Sequence, residues 1–474
     1  MRSLNRYKQE DLSGGVQCKT LPNLAGNNQV FHCENGEFAS KIGAITGRLG
    51  SETQSTLITN KRVLHLCEYV NNNGTRTYFA LSDDSGGANS DVLKSATASF
   101  DGAWSVSLAD RVLSADGYTT NFANKLAFFN GNDAPQWWNG SAWSVITNAP
   151  SSGIYPEVFN QRMYVLSKTG FLYFSDVVNA TGDDFTTTTW DNRGINPNEG
   201  QMAKMLKRHR GRLVIFKTES IYRYDGTNEP EAVITVGTHS SRSVVVLNDL
   251  FFHHPTGIYK MGVGEPMLIS RAVQKYLDGM DSANWEHVAS GRDTENVYFW
   301  IGNVTISDPL EPDWGKTYTD VVLVFNVNDE TWTVFSGWNA RTWHYDESTG
   351  TAYFGQANGQ IVEIGTGYAD VRAGGAINPI TFNVIFTPPD FGFPENEKNV
   401  GQIFVLGKYE SAILAGASYT EMENKNRLKN GEASVRAPIT CKNLWVGVSE
   451  QYLDTLPRIE GLVVDRISLN DDAR

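Results

Sequence analysis

One short pattern recurs along this chain and restricts its fold more than any other feature. RMYVLSKTGFLYFSD (162–176) is an apolar run, a polar turn containing glycine, then a second apolar run. RLVIFKTESIYRYDG (212–226), DLFFHHPTGIYKMG (249–262) and TAYFGQANGQIVEIG (351–365) repeat that order. Their second runs align: Phe171, Ile221, Ile258 and Ile361 share one place, and Phe174, Tyr224, Met261 and Ile364 lie three residues on. Runs of β-branched and aromatic residues joined by short polar turns are β-hairpins. Looser copies are KLAFFNGNDAPQWWNG (125–140), VLHLCEYVNNNGTRTYFAL (63–81), and NVYFWIG (296–302) pairing with DVVLVFNVND (320–329) across a long insertion. The clearer copies recur at roughly 35–50 residues, the spacing of propeller blades, and predict about seven blades, with six to eight open. DGAW (101–104), NGSAW (139–143) and NDETW (328–332) each set a turn before Trp, placed to close a blade's outer edge.

The pattern changes at both ends. TGYADVRAGGAINP (366–379) is rich in glycine and poor in apolar residues, and marks a boundary. Beyond it TFNVIFTPP, QIFVLGKYE, SAILAGASY, NLWVGVSE and EGLVVDRIS are strands of a β-sandwich or small barrel. The expected division is 1–55, an N-terminal arm packing with the C-terminal part; 56–370, the propeller; and 371–474, the sandwich. Helix is scarce. SRAVQKYLDGM (270–280) is the best candidate, with Ser270 as cap, Gly279 at its end, and Arg271, Lys275 and Asp278 facing solvent. The fold class is therefore all-β.

Chemistry is hard to find. No HExxH, GxSxG or P-loop is present, and Cys18, Cys33, Cys67 and Cys441 form no CxxC pair. No apolar h-region opens the chain and no stretch is long enough for a membrane span, so a reducing cytoplasm is expected. His253 and His254 are neighbours on a strand, point to opposite faces and cannot easily share a metal. No cofactor or metal is expected. Propellers also host glycosidases, so Asp183 with Asp184, Asp83 with Asp84, and Asp346 with Glu347 are loop candidates for an acid–base pair. SFDGAW (99–104) approaches a sialidase turn motif but has one residue between Gly and Trp.

The most charged stretch is KRHRG (207–211). With Lys204, residues Lys207, Arg208 and Arg210 form a basic front before a strand, expected in an inter-blade loop. It suits a subunit or adaptor interface, or a nucleic-acid contact. Phe216, Tyr222 and Tyr224 sit at repeat positions, as core rather than base-stacking residues. The net charge of −13 also disfavours a DNA-coating protein.

Three stretches carry a family resemblance: DLSGGVQCKTLPN (11–23), MLKRHRGRLVIFKTESIYRYDG (205–226) and FFHHPTGIYKMGVGEPMLISRAVQKYLD (251–278). They resemble the tail nozzle, or packaged-DNA stabilisation, proteins of short-tailed bacteriophages. The resemblance implies a non-enzymatic virion protein, assembled in the host cytoplasm as a homo-oligomeric ring of six below the portal and its adaptor. Such a ring continues the DNA channel, retains packaged DNA without sequence-specific binding, and carries fibres, spikes or a plug. An acidic lumen would let DNA slide. Two alternatives stay open: a carbohydrate-binding or glycan-cleaving propeller, and a propeller scaffold for protein partners.

Overall fold

The structure is a computed structural model that describes residues 3–18, 26–39, 43–86, 89–112, 117–178, 190–389, 391, 393, 395–408, 412–427 and 433–469. The repeated hairpins become the second and third strands of their blades, except that residues 63–81 form the first and second strands of blade one. Blade four shows the rule: its antiparallel strands are Ala203–His209, Arg212–Lys217, Ile221–Tyr224 and Glu231–Ile234, in chain order. Leu213, Val214, Ile215 and Phe216 are all buried, because a blade is covered on both faces by its neighbours. Phe216 meets Phe252 of blade five with ring centroids 5.1 Å apart.

Seven such four-stranded units are present among the described residues. Their first strands are Val63–Val70, Tyr118–Phe122, Gly153–Phe159, Ala203–His209, Val245–Leu247, Ala289–Arg292 and Thr342–Asp346. The seventh blade is completed from the other end of the chain. Ser51–Thr56 pairs antiparallel with Gln360–Ile364, so a strand preceding blade one forms the outer edge of blade seven. The first strands of blades seven and one pack together, which closes the ring.

Each turn–Trp unit latches one blade to the blade before it. Trp104, Trp143 and Trp332 lie in the fourth strands of blades one, two and six. Their indole N–H groups donate to Ser55 Oγ (2.9 Å), Ser107 Oγ (2.9 Å) and the Ile269 carbonyl (3.0 Å). Each acceptor lies in or just after the outer strand of the preceding blade. Trp143→Phe keeps an aromatic ring beside Phe79 and Trp138 and removes the donor. It should lower stability by about 0.5–1.5 kcal/mol, read from the urea midpoint.

The sandwich is built from both ends of the chain. Ser3–Gln9, Gly36–Ala39 and Ala44–Gly47 join Lys398–Lys408, Ala433–Cys441 and Arg458–Leu469 in one sheet. The other sheet continues from the propeller. Thr331–Phe335, the last strand of blade six, pairs with Val30–Glu34, which pairs with Ile380–Phe386. Ile380–Phe386 then adjoins Trp445–Tyr452, Ala412–Gly416 and Glu423–Arg427. One hydrophobic core runs from Phe251 and Ile258 of blade five through Tyr276 and Val297 to Phe382, Val400 and Val464 of the sandwich.

The helix sits at this joint. Residues 270–273 form a 3-10 turn and Gln274–Asp278 an α-helix, and the Gly279 N–H closes it on the Lys275 carbonyl (3.0 Å). Two expectations are corrected here. The Ser270 hydroxyl does not cap the helix; it accepts from the Ile258 N–H at 3.0 Å. Lys275 does not face solvent. It is buried, with Nζ 2.9 Å from Asp313 Oδ2, because residues 306–316 fold over it. Asp313 also accepts from the Tyr318 hydroxyl at 3.0 Å. Arg48 ties the joint elsewhere: its guanidinium is bidentate on Asp370 (3.0 and 2.7 Å) and its Nε donates to Asn35 (3.0 Å).

Glu37 lies beside the joint, in a cleft shared with Asp293 and Glu295. Burial, with added repulsion from Asp293, pushes its carboxyl up to about 7. Such a group favours the folded state while protonated, and that contribution is lost as pH rises from the ordinary Glu value toward 7. Glu37→Gln should therefore leave the urea midpoint nearly unchanged near pH 4 and raise it near pH 8.

Among the described residues, no helix is long and apolar enough to cross a membrane. All four cysteines are buried thiols, and burial pushes Cys18, Cys33 and Cys67 up to about 12 and Cys441 to about 11. Thiolate chemistry is thereby suppressed.

Candidate functional site

The first strands of the blades surround a central channel. Because successive strand residues point to opposite faces, only some of each strand reaches it. His65 and Glu68 of blade one, Thr119 and Asn121 of blade two, Lys207 of blade four, Arg292 of blade six and His344 of blade seven line a cavity of about 470 Å³. His65 Nε2 lies 3.0 Å from Thr119 Oγ1, and Asn121 Nδ2 donates to the Glu68 carbonyl at 2.9 Å. Glu68 is paired with Arg76, and Arg292 donates to Glu347 at 2.7 Å with its guanidinium over the Tyr345 ring. Burial, with His344 and then Arg242 and Lys207 adding repulsion, lowers His65 to about 3, and burial lowers His344 to about 4. Both imidazoles are neutral near pH 7, and Glu68 and Arg292 are paired, so Lys207 sets the sign of the lining. A cavity of this size matches a small-molecule pocket. Duplex DNA cannot thread it.

The four basic residues picked out in sequence do not form one patch. The expected loop is a strand: Lys204, Lys207 and Arg208 lie within Ala203–His209, the innermost strand of blade four. Arg210 and Gly211 form its turn, with φ of 46° and 73°. Two central residues at positive φ make a hairpin turn of the primed kind, usually filled by Asn-Gly. Lys204 stands at one end of the strand, 3.5 Å from Glu286 in the link between blades five and six. Arg210 stands at the opposite end and donates to Asp249 of blade five at 2.7 Å. Lys207 faces the channel, and Arg208 is exposed. Phe216, Tyr222 and Tyr224 are buried in the blade core, as the repeat implies.

The carboxylate pairs are also dispersed. Asp83 is held by Arg62 (2.8 Å). Asp346 accepts from the Tyr78 hydroxyl at 2.5 Å while its neighbour Glu347 pairs with Arg292. Asp183 and Asp184 lie outside the described residues.

No protein-family model matches the chain, and no curated protein matches its sequence. Solved structures do resemble it. One is PorZ, an essential bacterial surface component of the type-IX secretion system of Porphyromonas gingivalis, at 11% identity and a TM-score of 0.39, covering 81% of this chain and 46% of that one. Another is the extracellular domain of the one-component system BT4673 from B. thetaiotaomicron, at 12% identity and a TM-score of 0.44, covering 87% of this chain and 58% of that one. The chain thus spans 46% and 58% of these neighbours' lengths. Likenesses of this extent carry no functional argument.

The channel residues His65, Glu68, Arg292 and His344 escaped the sequence pass. Arg292 and His344 sit on first strands outside the recognised hairpins, while His65 and Glu68 lie in the first arm of the 63–81 hairpin, where an apolar run reads as core. One signal was available: each lies in the run immediately preceding a recognised hairpin strand, or in its first arm.

A second feature is the insertion within blade six, residues 306–316 between Asn296–Thr305 and Thr317–Asn326. Its inner side is locked by Asp313 on Lys275, while Leu310 is 90% and Trp314 64% exposed at its tip. A loop pinned from within that presents large apolar groups at its tip has the form of an interface anchor.

Proposed function

We propose that this chain is a structural subunit of a short phage tail. Six copies form a ring below the portal and adaptor, retain packaged DNA and let it leave on ejection. The virion tail is then its place of action, and a fibre, spike or plug its distal partner. The observation that carries this reading is where the three resemblance stretches lie. Residues 205–226 form most of blade four, stacked on residues 251–261 of blade five through Phe216 and Phe252. Residues 270–278 form the helical joint, and residues 11–18 dock on it: the Cys18 N–H donates to the Ala272 carbonyl at 2.9 Å. The three stretches thus follow one another in the fold, from blade four through blade five to the propeller–sandwich joint, instead of being scattered over turns.

The narrow propeller channel adds a geometric point. DNA passage runs between copies, along faces that each subunit turns to the ring axis. A net charge of −13 suits faces that phosphates slide past. Function then rests on ring geometry, not on bond making.

Native mass spectrometry of the purified chain with a portal–adaptor complex tests the stoichiometry. Six copies per complex are expected. A chain that ignores the complex and cleaves a glycan panel would instead support the carbohydrate alternative. Within a ring, Arg208 is the basic residue left for a neighbour, so Arg208→Glu should weaken assembly. Unchanged assembly of that variant would remove the basic front from the interface.

A further inference from the structure

Three side chains from separate segments converge on the propeller face that carries the links between blades. Glu219 is in the turn between the second and third strands of blade four. His239 is in the link from blade four to blade five, and His254 ends the second strand of blade five. Glu219 Oε1 lies 2.8 Å from His239 Nε2, and Glu219 Oε2 lies 3.1 Å from His254 Nε2. Their candidate ligand atoms all fall within 4.8 Å of one another.

We propose that Glu219, His239 and His254 form a zinc site that clamps blade four to blade five, with solvent completing the coordination. Two imidazole nitrogens and one carboxylate are a donor set that zinc takes, at bond lengths of about 2.1 Å, which places tetrahedral ligand atoms ~3.4 Å apart. The present spacing needs only small adjustments to reach that.

Each ligand is held by its own outer contacts, as metal ligands are. His254 Nδ1 lies 2.7 Å from Thr256 Oγ1, which in turn lies 2.8 Å from the Tyr259 hydroxyl. The Thr256 N–H donates to Nδ1 at 3.3 Å in the metal-free arrangement, and when zinc takes the Nε2 lone pair the Thr256 hydroxyl is placed to accept from Nδ1–H. His239 is flanked by the buried residues Thr238 and Ser240. Thr238 Oγ1 donates to the Ser240 carbonyl (3.0 Å), and Ser240 Oγ to the Val288 carbonyl (2.7 Å). The His239 ring also stands edge-on to Trp285 at 5.9 Å. The turn bearing Glu219 is fixed by Gln201, whose Oε1 accepts from the Glu219 N–H (3.1 Å) and the Ser220 hydroxyl (2.8 Å). His253, the neighbour of His254, points to the other face and takes no part. The rival account is a metal-free hydrogen-bonded trio, and the two differ in what they bind. The site does not depend on the tail assignment.

Isothermal titration of the chelator-treated full chain with zinc chloride tests the proposal. One zinc per chain is expected, with a rise in thermal midpoint. Glu219→Gln and His239→Ala should each weaken binding at least about tenfold, and Thr256→Val by about tenfold through loss of the outer contact. Each ligand variant breaks hydrogen bonds of the zinc-free trio at partly exposed side chains, so its zinc-free midpoint should fall slightly, and zinc should no longer raise it. Cobalt(II) should give visible absorption of tetrahedral strength without a thiolate band, because the cysteines are buried. The proposal falls if the parent shows no saturable uptake. It falls equally if the Glu219→Gln/His239→Ala double variant binds as the parent does.

Discussion

Asp313→Leu should cost the protein roughly 3–5 kcal/mol, because it leaves the buried ammonium of Lys275 without its counter-charge. That is a large part of the ~5–15 kcal/mol by which a domain is stable. The side chains of Lys275 and Asp313 are 3% and 0% exposed, so water cannot take over the lost interaction. The Lys275→Met/Asp313→Leu double variant should recover most of the loss, since a buried ion pair exchanged for apolar groups is often near neutral. The pH dependence has a definite sign. Burial opposes ionisation of Asp313, but Lys275 and Tyr318 outweigh it and hold its carboxyl below the usual range. Its contribution is therefore full above the unfolded Asp value and fades as pH falls through the folded one. The gap between parent and Asp313→Leu should narrow in acid. Urea titrations at several pH values read all of this. A single variant as stable as the parent would mean that Lys275 finds another partner.

Trp314→Ala should leave the isolated chain intact and cripple its assembly. Trp314 is mostly solvent-facing in the single chain, so its removal should change stability by no more than about 0.5 kcal/mol. As an interface anchor it should be worth ~2 kcal/mol or more, or about thirtyfold in subunit affinity. Leu310→Asp should act in the same direction more strongly, because it also places a charge in the contact. Sedimentation over a concentration series gives both numbers. Equal assembly of parent and both variants would place the ring contact elsewhere. Together the two predictions separate the inside of the 306–316 loop from its tip.

The blades were legible because they are buried on both faces. That condition writes continuous apolar runs such as RLVIFK and LFFHH into the sequence, and the runs repeat. The Trp latches were legible by a different signal, a turn set just before Trp that recurs on the outer strands. Ser51–Thr56 was not: SETQST is a polar strand whose partners, Gln360–Ile364 and Asp370–Val371, lie some three hundred residues away. The polar strand Glu423–Arg427 was missed likewise. The basic front was read as loop because Arg occupies the first place of a turn that usually takes Asn, so the hairpin at Arg210-Gly211 lacked its signature. Lys275 was placed in solvent because a short helix gives too few turns for its faces to be distinguished. The segment covering it arrives from residues 306–316. Glu219, His239 and His254 come together only through the stacking of two blades, which no local spacing encodes. The inner and outer ends of the basic front, Lys204 and Arg210, proved to have partners in Glu286 and Asp249. Lys207 faces the channel, and Arg208 is the exposed member of the front that turns to a neighbour.

The central claim is that this chain holds DNA inside a virion, and DNA retention tests it most directly. Phage particles assembled without the chain are filled, then treated with nuclease, with or without the purified protein added back. The account predicts that unsupplemented particles lose their DNA to the nuclease, that added parent protein protects it, and that Trp314→Ala does not. Full protection in particles that never received the chain would contradict the assignment.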